Sequence, residues 1–146
     1  MKPAVDSFLA EVAARTPAPG GGAVAATAAA SAAALVSMAA RFSAEDDVAQ
    51  AGDELRARLL QLAEDDAAAY TEVLATRGEA REEAMRVATD VPREIAAAAA
   101  QVAVLAHGLV ANGNPRLLGD ARVAELLAEA AGKAAGVLVE INAARD

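Results

Sequence analysis

The stretch PAPGGGAVAATAAASAAALVSMAA, residues 17 to 40, decides the fold. It reads as a glycine-rich loop opening onto a helix with no charged face. Ala, the strongest helix former, dominates it, and Gly20, Gly21 and Gly22 mark where regular helix can begin. A helix that is apolar all round must be surrounded, either by other helices or by lipid. The uncharged run is barely long enough to cross a bilayer, which takes about 20 apolar residues. Only Val24, Leu35, Val36 and Met38 belong to the types that drive insertion. A central helix sheathed by its neighbours therefore fits better, because small side chains let helix axes approach closely. No membrane span is expected. Nor is a secretory leader, since Asp6, Glu11 and Arg15 interrupt the segment where its apolar core would lie.

Upstream of the loop, Val5, Phe8, Leu9 and Val12 recur at i, i+3, i+4 and i+7, the stripe of an amphipathic helix that stops near Thr16. The loop leaves the first N–H groups of the central helix without a neighbouring Ser or Asp side chain to cap them. Such an end can receive an anion or a polar ligand edge, although the glycines equally suit a tight turn and close packing. Downstream, the acidic stretch from Ser43 to Asp47 is a turn followed by a helix start. A long helix from about Asp46 to Leu74 then carries a stripe of Val48, Leu55, Leu59, Leu62, Ala69 and Val73. Asp66 falls on that stripe. A carboxyl group on the buried side of a helix is costly unless it is paired, hydrogen-bonded or protonated. Asp66 is thus either the edge of the stripe, pairing with a surface Arg, or a group with chemistry to perform.

Arg77 and Gly78 end this helix. Glu79 to Asp90 form a short charged one, and Pro92 opens the next, in the first turn where proline is tolerated. That helix turns Ile95, Ala98, Ala99, Val102, Leu105, Ala106 and Leu109 to one side. His107 lies off this stripe and reads as a surface or interface histidine. Asn112 to Pro115 supply turn chemistry. The last helix begins near Gly119 or Asp120, with Asp120 placed as its N-cap. Its apolar positions are Val123, Leu126, Leu127, Ala130, Ala134, Val137, Leu138 and Ile141, and Gly132 and Gly136 admit a close second helix. Nothing alternates with period two, so the fold class is all-α: a multihelical bundle around a buried Ala-rich central helix.

Composition narrows the function. A chain of 146 residues is expected to form one domain, residues 1–146, able to bury a core without staples. It has no Cys, which points to a reducing, cytoplasmic setting and excludes thiolate metal sites. With one His, His107, no metal site is expected. A net charge of −8, two Phe, one Tyr and no Trp argue against nucleic-acid binding, which needs a basic footprint and stacking platforms.

Five pieces of the chain, in order, resemble the cyclodeaminase/cyclohydrolase family: the cyclodeaminase part of formiminotransferase-cyclodeaminase and the related methenyltetrahydrofolate cyclohydrolases. They are FLAEVAARTPAPGGGAVAATAAA at 8–30, DAAAY at 66–70, VPREIA at 91–96, GNPRLLGDARVAELL at 113–127 and VEIN at 139–142. The resemblance implies a homodimeric helical bundle with no tightly bound cofactor and no metal. It also implies a tetrahydrofolate derivative as substrate. Either 5-formiminotetrahydrofolate is closed to 5,10-methenyltetrahydrofolate with loss of ammonia, or the methenyl and 10-formyl forms are interconverted with water. It points to Pro19, Gly20, Gly21, Gly22, Asn114 and Asn142 as substrate-binding positions. Asp66 would act as acid/base catalyst with Asp120 as second choice, and Arg116 or Arg122 would attract the glutamyl tail. At Gly119, Arg122 and Leu138 the family usually carries serine, glycine and asparagine. On these departures rests an alternative, a non-catalytic helical dimer with an altered pocket.

Overall fold

In the computed structural model, which describes residues 2–145, five α-helices follow one another. They are α1 (Lys2–Ala13), α2 (Gly21–Phe42), α3 (Asp46–Ala75), α4 (Gly78–Asn112) and α5 (Leu118–Ala143), with a 3₁₀ turn at Pro115–Leu117 leading into α5. No strand occurs among the described residues. The Ala-rich helix α2 is the axis: α3, α4 and α5 all pack on it, and Ala26, Ala29, Ala32, Ala33 and Val36 are wholly enclosed. One stripe of α2 stays uncovered, through Val24, Ser31 and Ala34, so the helix is sheathed on three sides only. Both α2 and α4 are long and apolar enough to cross a bilayer, but the most apolar window of α2 is 61% buried inside the bundle.

Close approach explains the small residues. Ser37 Oγ lies 3.1 Å from Ala33 O on its own helix and 3.2 Å from Ala49 O on α3, so its one proton bridges the two. A Cβ at Gly52 would overlap that hydroxyl, which makes glycine the residue that lets α3 close on α2 there. Gly132 lies where α5 passes α4, but a Cβ there would make only ordinary contact, 3.7 Å from that of Ala99.

Three expectations are corrected. The segment from Glu79 to Asp90 is not a separate helix, because α4 runs unbroken from Gly78 through Pro92 to Asn112. Proline is tolerated inside it because the carbonyl it leaves without a partner is served from elsewhere, as described below. The inner face of α5 is also different: Ala121, Ala124, Ala128, Ala131 and Ala135 are buried, whereas Val123, Leu126, Leu127, Val137 and Ile141 are exposed. Alanine faces approach α2 and α4 more closely than leucine faces could, which turns the bulkier side chains outward. Finally, Asp120 is not the N-cap. Helix α5 starts two residues earlier, at Leu118, and Asp120 sits in its first turn.

Helix α1 hardly touches the rest of the chain, and its Val5 and Leu9 remain exposed.

Candidate functional site

The start of α2, the middle of α3 and the end of α5 converge on a cavity of about 290 Å³. Its wall is made by Pro17, Ala18 and Gly20 to Gly22 from the loop, Asp66 and Tyr70 from α3, Ala88 from α4, and Leu138, Ile141, Asn142 and Arg145 from the C-terminal end. Gly20 precedes the first turn of α2 in an extended conformation, and no local side chain caps that turn. Asp66 takes up this position from α3. Its carboxyl group lies so close over Gly22 that a Cβ there would overlap both carboxyl oxygens and the carbon between them. Burial pushes the Asp66 carboxyl above the usual aspartate range, and the Ala23 backbone N–H opposes that shift only in part. The site therefore holds a carboxyl group poised to carry a proton.

Asn142, at the last turn of α5, donates from Nδ2 to Ala88 O at 2.9 Å, and Tyr70 stands one helical turn beyond Asp66. Of the residues singled out from the sequence, Gly20, Gly21, Gly22, Asp66 and Asn142 thus share one wall. Pro19 faces the neighbouring groove between α1, α2 and α3 instead.

The remaining candidates lie elsewhere. Asp120 is separated from Asn142 by most of α5, about 33 Å at 1.5 Å per residue. Asn114 is fully engaged at the far end of the bundle. Its N–H donates to Ser43 Oγ at 2.8 Å and its Nδ2 to Phe42 O at 3.0 Å, while its Oδ1 accepts from Arg116 N at 3.0 Å. Asn114 thereby caps the 3₁₀ turn before α5, whereas α5 itself, with Leu117 at its N-cap position, has no side-chain cap. Arg116 is exposed beside it. Arg122 is held at 2.7 Å by Glu125, which also accepts from His107 Nδ1 at 2.7 Å across from α4. Glu125 is buried, yet the His107 hydrogen bond, helped by Arg122, keeps its carboxyl below the usual glutamate range. His107 is thus a surface histidine that ties α4 to α5.

The sequence did not single out Tyr70 or Arg145 as wall residues, and it marked Leu138 only as a departure from the family's usual asparagine. Tyr70 carried a usable signal, since four residues after Asp66 places it on the same helix face. Among the described residues there is no group of three or more His, Cys, Asp or Glu arranged to hold a metal.

Comparison with known proteins gives a consistent result. The family model described as formiminotransferase-cyclodeaminase matches residues 4–145. A methenyltetrahydrofolate cyclohydrolase from Methylorubrum extorquens is 32% identical over 163 residues, covering 95% of this chain and 78% of its own. The crystal structure of formiminotetrahydrofolate cyclodeaminase from Thermotoga maritima superposes with a TM-score of 0.92 at 28% identity, over 97% of this chain and 78% of that one.

Proposed function

The chain belongs to the formiminotransferase-cyclodeaminase family, and from that premise we propose that its cavity carries out one-carbon chemistry on a tetrahydrofolate derivative. The reaction is either cyclodeamination of 5-formiminotetrahydrofolate or reversible hydrolysis of 5,10-methenyltetrahydrofolate. The observation that carries this reading is the Asp66 carboxyl, pressed against the glycine turn of α2, where burial raises its affinity for a proton.

Both reactions pass through a tetrahedral carbon between N5 and N10, and both need a proton moved at that carbon. In cyclodeamination N10 attacks the formimino carbon and loses its proton, and the amino group must gain one to leave as ammonia. In hydrolysis water adds to the methenyl carbon and loses a proton; as the bond from N5 to that carbon breaks, N5 gains one and the hydroxyl on that carbon releases its own to water, becoming the formyl carbonyl. A single carboxyl with a raised pKa can take the first proton and return the second. The free N–H groups at the start of α2 would meet polar atoms of the ligand. The cavity, about 290 Å³, suits the bicyclic head of a folate more than the whole molecule, and Arg145 on its wall would offer a cation to carboxylates of the tail.

The test is thermal stabilisation by tetrahydrofolate and 5,10-methenyltetrahydrofolate. At a hundred times its dissociation constant a ligand adds about 2.7 kcal/mol of stability. One observation favours the alternative, a non-catalytic helical dimer: Leu138, apolar where the family usually carries asparagine, lines the cavity and faces Gly21. Gly119 and Arg122, the other departures, are not part of that wall. Absence of any folate stabilisation would favour the alternative.

Assembly into a homodimer is part of the same proposal. The bundle buries alanines and exposes Leu126, Val123, Val137, Leu9 and Val104, an inversion that leaves large apolar surface for a second copy to cover. Sedimentation at micromolar concentration is expected to give twice the 14.6 kDa chain mass. A monomer there would remove the dimer.

A further inference from the structure

Pro92 lies wholly buried in the interior of α4, where a proline has no N–H to give to the carbonyl four residues earlier. That carbonyl belongs to Ala88, and it is the one that receives Asn142 Nδ2 at 2.9 Å. Ala88 O can only accept, so the amide of Asn142 must turn its nitrogen toward α4. Its oxygen is then turned away. Among the described residues no donor reaches Asn142 Oδ1, and no buried side-chain oxygen or nitrogen lacks a partner, so Oδ1 is accessible, on a half-buried residue that lines the cavity.

We propose that Pro92 is a positioning residue for ligand recognition: by withholding a helix hydrogen bond it fixes Asn142 with its side-chain oxygen toward the cavity, as an acceptor for an N–H donor of the ligand. An amide free to rotate would offer donor and acceptor alternately. One locked by Ala88 O offers an acceptor only, and discriminates against ligands lacking an N–H at that point, whose binding would leave Oδ1 without a partner. The class of ligand is a heterocycle with an exposed ring or exocyclic N–H, and this rests on the folate reading above for its identity. The geometry also accounts for a helix that continues through proline instead of breaking there, since the tertiary donor replaces the missing helical one.

Two readouts separate this inference from that reading. The first needs no ligand. In the wild-type protein the Asn142 side-chain NH₂ is expected to show slowed hydrogen exchange by NMR, and in Pro92→Ala, where an N–H returns to Ala88 O, that protection is expected to be lost. Protection unchanged in Pro92→Ala would overturn the coupling. The second follows 5,10-methenyltetrahydrofolate. Pro92→Ala is expected to raise KM about tenfold, the scale of one lost hydrogen bond, and to change kcat less. Asn142→Leu should weaken binding similarly, and Pro92→Ala/Asn142→Leu should be no worse than Asn142→Leu alone, since both act through one amide. Independent, multiplying losses, or an unchanged KM in both single variants, would overturn the ligand role. A wild-type protein that ignores folates while Asn142 protection still depends on Pro92 would remove the folate reading and uphold the coupling.

Discussion

Asp66→Asn is expected to keep folate binding and to turn substrate over about 10²- to 10⁴-fold more slowly, the usual contribution of a general acid–base group. Asparagine preserves the shape against Gly22 and can still accept from the Ala23 N–H, but it cannot exchange a proton at neutral pH. A loss of kcat with KM little changed is the signature of a group acting mainly in the transition state. The same substitution has an opposite effect on stability. The folded protein holds the Asp66 proton more tightly than the unfolded chain, whose carboxyl titrates near 3.8. Native stability is therefore lost as pH rises from that value through the raised folded one, and the burial of the charged form is a standing penalty at neutral pH. Asp66→Asn escapes it. Its urea midpoint should exceed that of wild type at pH 7, with the gap closing as pH is lowered toward 4. Full turnover in the variant would move proton transfer to water, and an equal midpoint at pH 7 would contradict the burial of a costly carboxylate.

The second large effect is expected at Gly22. Its missing Cβ is the space that the Asp66 carboxyl occupies. In Gly22→Ala the methyl group must displace that carboxyl, and because it is the end of a short rotatable side chain, the side chain can swing while α2 stays in place. The fold should survive. Activity should not: misplacing a reacting group by about 1 Å can cost around 10²-fold. Gly22→Ala and Asp66→Asn disable one device, so the double variant should lose no more than Asp66→Asn alone. Turnover in Gly22→Ala within a factor of two of wild type would show that the close contact has no catalytic use.

The glycine turn, the enclosed α2 and the acid on the buried stripe of α3 were all readable from residue order, because each is a local pattern with one physical explanation. The face of α5 was not. Hydrophobic size marks the inside of a helix only where the core has room for large side chains, and here alanines pack against alanines while Leu126 and Val137 point outward. Pro92 misled for a related reason. Proline signals a helix start when nothing else can serve the orphaned carbonyl, and Asn142, 50 residues away in sequence, is invisible to any local pattern. The same distance hid the roles of Asn114, which latches onto Phe42 and Ser43, and of Glu125, which gathers His107 and Arg122. Within the candidate site, Gly20 to Gly22, Asp66 and Asn142 were legible and converge on one cavity. Asp120, Asn114, Arg116 and Arg122 stand apart from it in this chain.

The most direct measurement is the rate at which the purified protein changes methenyltetrahydrofolate absorbance, starting from 5-formiminotetrahydrofolate in one assay and 5,10-methenyltetrahydrofolate in the other. Catalysis through Asp66 predicts turnover well above the buffer rate in at least one assay, reduced at least a hundredfold by Asp66→Asn. Rates equal to buffer in both, with no stabilisation by either folate, would contradict it.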